Sequence, residues 1–413
     1  MSNANQTNIT ITIKSYGAFS KVNGPNILNF NHLKFSDIHV VTIVGQNDVQ
    51  IKNCVWKMDH GSIGQPVELE LKTIVIKTIS FINTKFLMNF INIKFENVKF
   101  KDTSFQTLGI LAFFQDTNQY LYVTLKKTQW QSTGYAHNRN SKQQSMINLI
   151  HTEYQHLLID DSIFANTHIY IKGAIISIKF FQVHFYTNAS VPLLNIVKLP
   201  NNYLPFTVKN IILFQSVIFK NSLPKVYKKH GFVFIGFCNV FITITNCSFH
   251  NSLYALKVQT YHAKTQREGT NLALHIIQSR FSNMGQSAVY VYIQKQKTPL
   301  VKALIRVDAC EFQNNRGSKG GALFFHVDKY LQYQNTQHPV LYVRDSLFVN
   351  NWAKLSGGAI STSSFTSSKI YNSKFQISNK MNPHVSYQFQ QVTKGIFIDS
   401  AGGLVLENNS FSL

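Results

Sequence analysis

The sequence predicts an all-β fold, a single right-handed parallel β-helix (a solenoid) of about fourteen coils. Three observations lead there. A phrase of the form h-x-h-x-[D/N/Q]-[S/C]-x-F-x-N, with h aliphatic, recurs as LLIDDSIFAN at 157–166, ITITNCSFHN at 242–251, LHIIQSRFSN at 274–283, IRVDACEFQN at 305–314 and LYVRDSLFVN at 341–350. Its aromatic anchors in the second half stand at 219, 249, 281, 312, 348, 375 and 411, spaced by 30, 32, 31, 36, 27 and 36 residues. Units of that length bury their apolar faces only by stacking on neighbours. The apolar residues ahead of each anchor alternate (Ile242 and Ile244, Leu274 and Ile276, Ile305 and Val307, Leu341 and Val343), which marks a strand with one buried face.

Each part of the phrase has a physical reading. A polar residue ends the alternation, as at Asp161, Asn246, Gln278, Asp345 and Asn372, and suits a bend. A small residue follows: Ser162, Ser279, Ser346 or Ser373, with Cys247 and Cys310 in the same slot and Cys54 in a looser copy. A free Cys behaves there as a small hydrophobe. The aromatic then opens a second short strand, and a variable loop completes the unit. Leucine-rich repeats are too short for this period, and propeller blades need four strand signals per repeat. The anchors number fourteen when Phe35, Trp56, Phe81, Phe105, Trp130, Phe164 and Phe185 precede the seven above. Residues 1–25 read as an N-terminal cap or leading segment and 26–413 as the β-helix.

Two residues past the anchor lies a column of Asn83, Asn166, Asn221, Asn251, Asn283, Asn314 and Asn350. It reads as an inward structural ladder, each amide bonding backbone groups at a turn and its counterparts above and below. The other reading is a polar binding face. Four Cys without a C-x-x-C exclude a disulfide scaffold or a Cys-rich zinc site and leave a Cys238–Cys247 bridge open. Asn188 and Asn246 (with Asn408) sit in N-x-S triplets and are glycosylation candidates in a secreted chain.

Net charge is +22, from 40 Lys and Arg against 18 Asp and Glu. Such an excess implies anionic partners. Lys225, Lys228 and Lys229, then Lys264 and Arg267, then Lys295 and Lys297 follow the Asn column in three consecutive coils. If these loops leave one corner, they form a basic strip for acidic polysaccharide or another polyanion. No specific nucleic-acid motif accompanies them.

Catalytic signatures are sparse. A polysaccharide lyase of this architecture needs acidic residues for Ca²⁺ with a basic residue nearby, and a hydrolase needs spaced carboxylates. Asp160-Asp161 is the one acidic pair on a strand, and successive strand residues face opposite sides. WKMDH at 56–60 differs from the W-I-D-H phrase of pectate lyases by an extra residue. No catalytic residue, metal site or cofactor is therefore expected. Residues 1–10 show no basic region followed by an apolar run, and no apolar segment has the length to span a membrane. The chain stops within a coil just after Phe411, so a flanking protein segment or a partner is expected to cover that coil.

Phe312-Gln-Asn-Asn315 followed by Gly320-Gly-Ala-Leu323, and Phe348-Val-Asn-Asn351 followed by Gly357-Gly-Ala-Ile360, resemble the F-x-x-N and G-G-A-I pair of chlamydial polymorphic outer membrane proteins. Similar repeats occur in large surface proteins of ciliates and other protists. The close resemblance covers about residues 305–375, and Ala401-Gly-Gly-Leu404 is similar. It implies a pectin-lyase-like right-handed β-helix, exposed at the cell surface or extracellular, adhesive, and without catalytic residues to carry over. The function expected is a non-catalytic surface, adhesion or structural rod. A polysaccharide lyase or glycoside hydrolase of the pectin-lyase-like class is the alternative.

Overall fold

The computed structural model describes residues 92–101, 104–107, 121–132, 147–187, 193–197, 210–222, 231–236, 239–260, 270–293, 301–328, 340–365, 367–376, 396–400 and 404–412, and strand segments between 10 and 88. All regular elements among them are β-strands, paired in parallel apart from Thr10–Ile13, which runs antiparallel to Val40–Val44. The fold is a parallel β-solenoid of the right-handed type, with about six turns in its best-described part. No helix among the described residues is long and apolar enough to cross a membrane. The chain divides into two compact units, Met1–Tyr186 and Thr187–Leu413.

In the second unit the coil is built on three main strands, where the repeat phrase shows two. One coil runs Asn239–Thr245, Ser248–Ser252 and Leu256–Thr260; the next runs Thr270–Ile277, Arg280–Met284 and Val289–Ile293. Val301–Asp308, Glu311–Gln313 and Leu323–Val327 continue the pattern. Corresponding strands pair in parallel from coil to coil, giving a pre-bend face, a post-bend face and a third face. The third strand alternates too: Leu256 and Val258, Val289, Val291 and Ile293, and Leu323, Phe325 and Val327 are all buried. It lies inside the stretch that reads as variable loop, so the phrase alone does not announce it.

The bend column takes the conformation its residues favour. Asp161, Asn246, Gln278, Asp345 and Asn372 have φ between 45° and 53°, and Asn97, Lys127, Gln182, Ser216, Ala309 and Asn408 share that left-handed geometry. Asn and Asp tolerate it because their short side chains bond locally. The bend N–H groups find partners one coil on, as from Asn246 to the Ile277 carbonyl, from Gln278 to that of Asp308 and from Asp345 to that of Tyr371.

The small-residue slot is buried and forms a polar ladder. The backbone N–H of Cys247 donates to Ser279 Oγ at 3.1 Å, that of Cys310 to Ser346 Oγ at 3.2 Å, and that of Ser346 to Ser373 Oγ at 3.3 Å. Each hydroxyl in turn donates to the carbonyl two residues upstream, at 2.8 Å for Ser279 and Ser346. A slot hydroxyl is thereby satisfied without water, as a buried polar group must be.

The anchors form an inward stack. Ring centroids from Phe219 through Phe249, Phe281, Phe312, Phe348 and Phe375 to Phe411 are 4.8–5.0 Å apart with planes within 10°. This is the strand spacing of a sheet turned into a column of rings. Leu404, Leu406 and Phe411 of the last described coil are exposed.

The first unit repeats the scheme, with one difference. Ile147–Asp160 and Ile169–Phe181 are long strands that each run through the third and pre-bend faces without a loop, with register irregularities between His151 and Tyr154 and between Gln155 and His156. Its aromatic column comprises Phe100, Trp130, Phe164 and Phe185, with Phe81 in backbone register with Phe100. Two anchors therefore move. Phe105 pairs with Phe86 on another face, and Phe100, three residues after the bend at Asn97, takes its place. Trp56 likewise pairs with Phe86, and Ile51 stands in register with Phe81. Phe35, Cys54 and Asn83 lie outside the described residues.

Candidate functional site

Lys225, Lys228, Lys229, Lys264, Arg267, Lys295 and Lys297 lie outside the described residues, as does Asn188. The strands that flank them correct one premise. The segment with Lys225–Lys229 joins the post-bend strand Ile218–Asn221 to the third-face strand Val233–Gly236. The other two segments join third-face strands to pre-bend strands, Leu256–Thr260 to Thr270–Ile277 and Val289–Ile293 to Val301–Asp308. The three segments thus leave at two corners, because a third strand intervenes in the later coils.

The Asn column also divides. Asn166, Asn251, Asn283, Asn314 and Asn350 take φ of 51–62° at the turn after the anchor strand, while Asn221 is buried. Asn283 Nδ2 donates to Asn251 Oδ1 at 3.0 Å, so amides do bond between coils, but Asn283 and Asn314 are exposed. The left-handed φ turns those side chains outward, and the inward position falls to the next residue. Asn315 and Asn351 are buried there. Asn315 Nδ2 donates to Asn351 Oδ1 (2.9 Å) and to the Phe281 carbonyl (3.0 Å), and its Oδ1 accepts from the Met284 N–H (3.0 Å). Asn351 Nδ2 donates to the Phe312 carbonyl at 2.8 Å. The F-x-x-N spacing carried this signal: it counts to the second Asn of each pair, and the column count stopped at the first.

The glycine pair has an equally local cause. Gly320 and Gly357 take φ of 56° and 57°. A Cβ on Gly321 would stand 2.3 Å from the Gly358 carbonyl oxygen and 2.5 Å from that of Trp352. Between Asn and glycines, Arg316–Lys319 and Trp352–Ser356 pair as an extra short strand, with the Arg316 guanidinium 5.0 Å from the Trp352 ring. Cys247 and Cys310 are buried free thiols, and Cys238 lies outside the described residues; burial pushes both thiols up to about 12. Asn246 is exposed at its bend.

The outer side of the third face in the second unit carries the densest cluster of recognition chemistry. Alternation places Phe234, Lys257, Tyr290 and Phe324 in one outward row, opposite one another on successive coils. Lys257 Nζ lies 6.0 Å from the Phe234 ring and 5.3 Å from the Tyr290 ring, and Tyr290 and Phe324 are 4.9 Å apart. The adjacent row holds Gln259, Tyr292, His326 and Ser363. Tyr292 stacks on His326 at 5.2 Å, its hydroxyl donates to both oxygens of Asp328 at 3.0 and 3.1 Å, and His326 Nε2 reaches Asp328 Oδ1 at 3.2 Å. On the pre-bend face Tyr342 sits 5.7 Å from both Arg306 and Lys369, a smaller arrangement of the same kind.

His326 Nδ1 also bonds Ser363 Oγ, which completes a Ser–His–Asp chain. The pairing has an ordinary cause. His156–Ser177 (2.8 Å) and His250–Ser282 (2.7 Å) are the same contact between residues opposite each other on neighbouring coils. An acyl-transfer site also needs backbone donors aimed at the developing oxyanion, whereas Ser361–Ser363 lie in a strand paired in register on both sides. Among the described residues no three His, Cys, Asp or Glu side chains gather to hold a metal ion. Asp161 is exposed at its bend.

The Chlamydia polymorphic membrane protein (Chlamydia_PMP) repeat matches residues 345–363. Those residues run from the bend at Asp345 through Phe348, the buried Asn351 and the glycine corner to the third-face strand. No curated protein and no solved structure gives a match. One repeat of this β-solenoid is thus similar to the repeat of the Chlamydia polymorphic membrane proteins, and it sits in a stack of like coils.

Proposed function

We propose that this protein is a non-catalytic surface β-helix, adhesive or structural, that binds acidic polysaccharide or a similar polyanion from a cell-surface or extracellular position. In this reading residues 26–413 form about fourteen coils of a pectin-lyase-like helix behind a leading segment at 1–25. One observation carries it. The slot hydroxyls are committed to backbone groups of the solenoid, and Asn315 and Asn351 to each other. What remains for partners is outer rows and loops, in a chain of net charge +22. The Lys225–Lys229, Lys264–Arg267 and Lys295–Lys297 segments supply the charge.

A heparin column tests it. The parent is expected to be retained and to elute with rising salt, because ions screen and replace Lys contacts. Reversing Lys228, Lys229, Lys295 and Lys297 to Glu should bring elution to markedly lower salt. Equal elution would reduce the basic segments to solvated surface. The Tyr292, His326, Asp328 and Ser363 cluster favours a second reading, a polysaccharide-processing enzyme. Incubation with pectate, alginate and chondroitin, with and without Ca²⁺, separates the two. Unsaturated or reducing-end product that vanishes in Asp328→Asn would establish the enzyme; product lost in Asp161→Asn would place its chemistry at the bend.

A further inference from the structure

We propose that the outer third face from Phe234 to His326 is a binding track for a linear acidic polysaccharide, a uronate-type chain lying across successive coils. The assignment deepens the reading above and rests on it. Sugar rings present apolar C–H faces that pack on aromatic rings, and Phe234 and Tyr290 offer two such platforms in one row, the second backed by the buried Phe324. The repeat along that row is the rung spacing, close to the length of one hexose in an extended chain. Aromatic platforms and glycan units therefore advance together.

Charge selects the acidic class. Lys257 stands between two rings of the row, and among the described residues no carboxylate forms an ion pair with it. A uronate carboxylate can take that place while its ring packs on Tyr290. Beside this row, the Tyr292 hydroxyl donates to Asp328 and keeps an oxygen lone pair that can accept from a sugar hydroxyl. The negative charge of Asp328 is engaged by Tyr292 and His326, which limits its repulsion of an anionic chain. The sequence adds a second argument. Lys264 and Arg267 follow the strand that carries Lys257, and Lys295 and Lys297 follow the strand that carries Tyr290. Two basic segments thus continue from the track's own strands.

The face is a row rather than a pocket, so it suits a polymer held by many weak contacts. Each contact adds little alone, and successive coils multiply them.

Calorimetric titration of the full chain with oligogalacturonate, against a neutral cello-oligosaccharide, tests the assignment. The parent should bind the acidic oligomer and bind the neutral one at least about tenfold more weakly. Lys257→Gln and Tyr290→Ala should each weaken binding by about tenfold, and Lys257→Gln should lower its salt dependence. The far-ultraviolet circular dichroism and melting temperature of Lys257→Gln should match the parent, which guards against misfolding of the aromatic variant. Unchanged affinity in folded Lys257→Gln and Tyr290→Ala, with loss in the loop charge-reversal variant, overturns the track and leaves the broader reading intact. Equal binding of the neutral oligomer overturns the acidic class. A parent that binds neither oligogalacturonate nor heparin overturns both.

Discussion

Removing one ring from the stack tests how the solenoid is held together. Phe312 is fully buried between Phe281 at 4.8 Å and Phe348 at 5.0 Å, both near-parallel. A Phe buries roughly 150–250 Å², which at about 25 cal/mol/Å² is worth ~4–6 kcal/mol. Alanine keeps part of that, and the ring leaves a cavity that stacked neighbours cannot close, so Phe312→Ala should cost about 3–5 kcal/mol. Phe411 provides the control. It is 59% exposed and stacks on Phe375, so Phe411→Ala should cost about 1 kcal/mol. Guanidinium unfolding followed by far-ultraviolet circular dichroism reads both. Because coil stability sums nearest-neighbour terms, Phe312→Ala should also broaden or split the transition as its two interfaces weaken. Equal losses in the two variants would refute the argument, since ring burial would then not be what holds neighbouring coils. A spectrum with more than a third helix would refute the fold.

Adjacent asparagines should behave unlike each other: Asn315→Leu leaves the Met284 N–H and Phe281 carbonyl without its amide and should cost about 3 kcal/mol, while Asn314→Gly, at φ 55°, should change melting little. Gly321→Ala forces a methyl against two carbonyl oxygens and should cost more than about 2 kcal/mol in the same unfolding assay. With burial pushing them up to about 12, Cys247 and Cys310 should resist iodoacetamide at neutral pH until denaturant is added, read by peptide mass spectrometry. His250 is lowered by burial and by Lys220 and Arg280, His275 by burial and Arg306, and His156 by burial and Lys179. Their unfolded forms bind protons more readily, so stability is full above the ordinary histidine value of 6.5 and falls as pH drops through the folded pKa values. The melting temperature should therefore fall between pH 7.5 and 5, and His250→Gln should shrink that fall.

The repeat phrase made the anchors and bends legible because each is fixed by local chemistry. A residue at left-handed φ, most often polar, then a small or aliphatic inward residue, then an aromatic recur in that order at this bend. The phrase misled where a neighbour imitated it. Asn53-Cys-Val-Trp56 fits it better than the residues around Ile51, the position in register with Phe81. Asp102-Thr-Ser-Phe105 likewise competed with Asn97-Val-Lys-Phe100, although only the latter follows an alternating run, Ile93-Lys-Phe95. The outer track was not legible. Phe234, Tyr290 and His326 are far apart in sequence, and only the register of the third strand makes them neighbours.

The stretch from bend to inward amide, as from Asp345 to Asn351, is a fixed ruler, while the period from one aromatic anchor to the next varies from 27 to 36 residues. Adding or removing one residue within the ruler would turn every later side chain of that strand to the opposite face, ring outward and hydroxyl unpartnered. The same change between rulers alters only how far a segment projects. The chain can therefore gain or lose length, charge and outward decoration at its corners while the interior stays the same, so new specificity can be written there without a new fold.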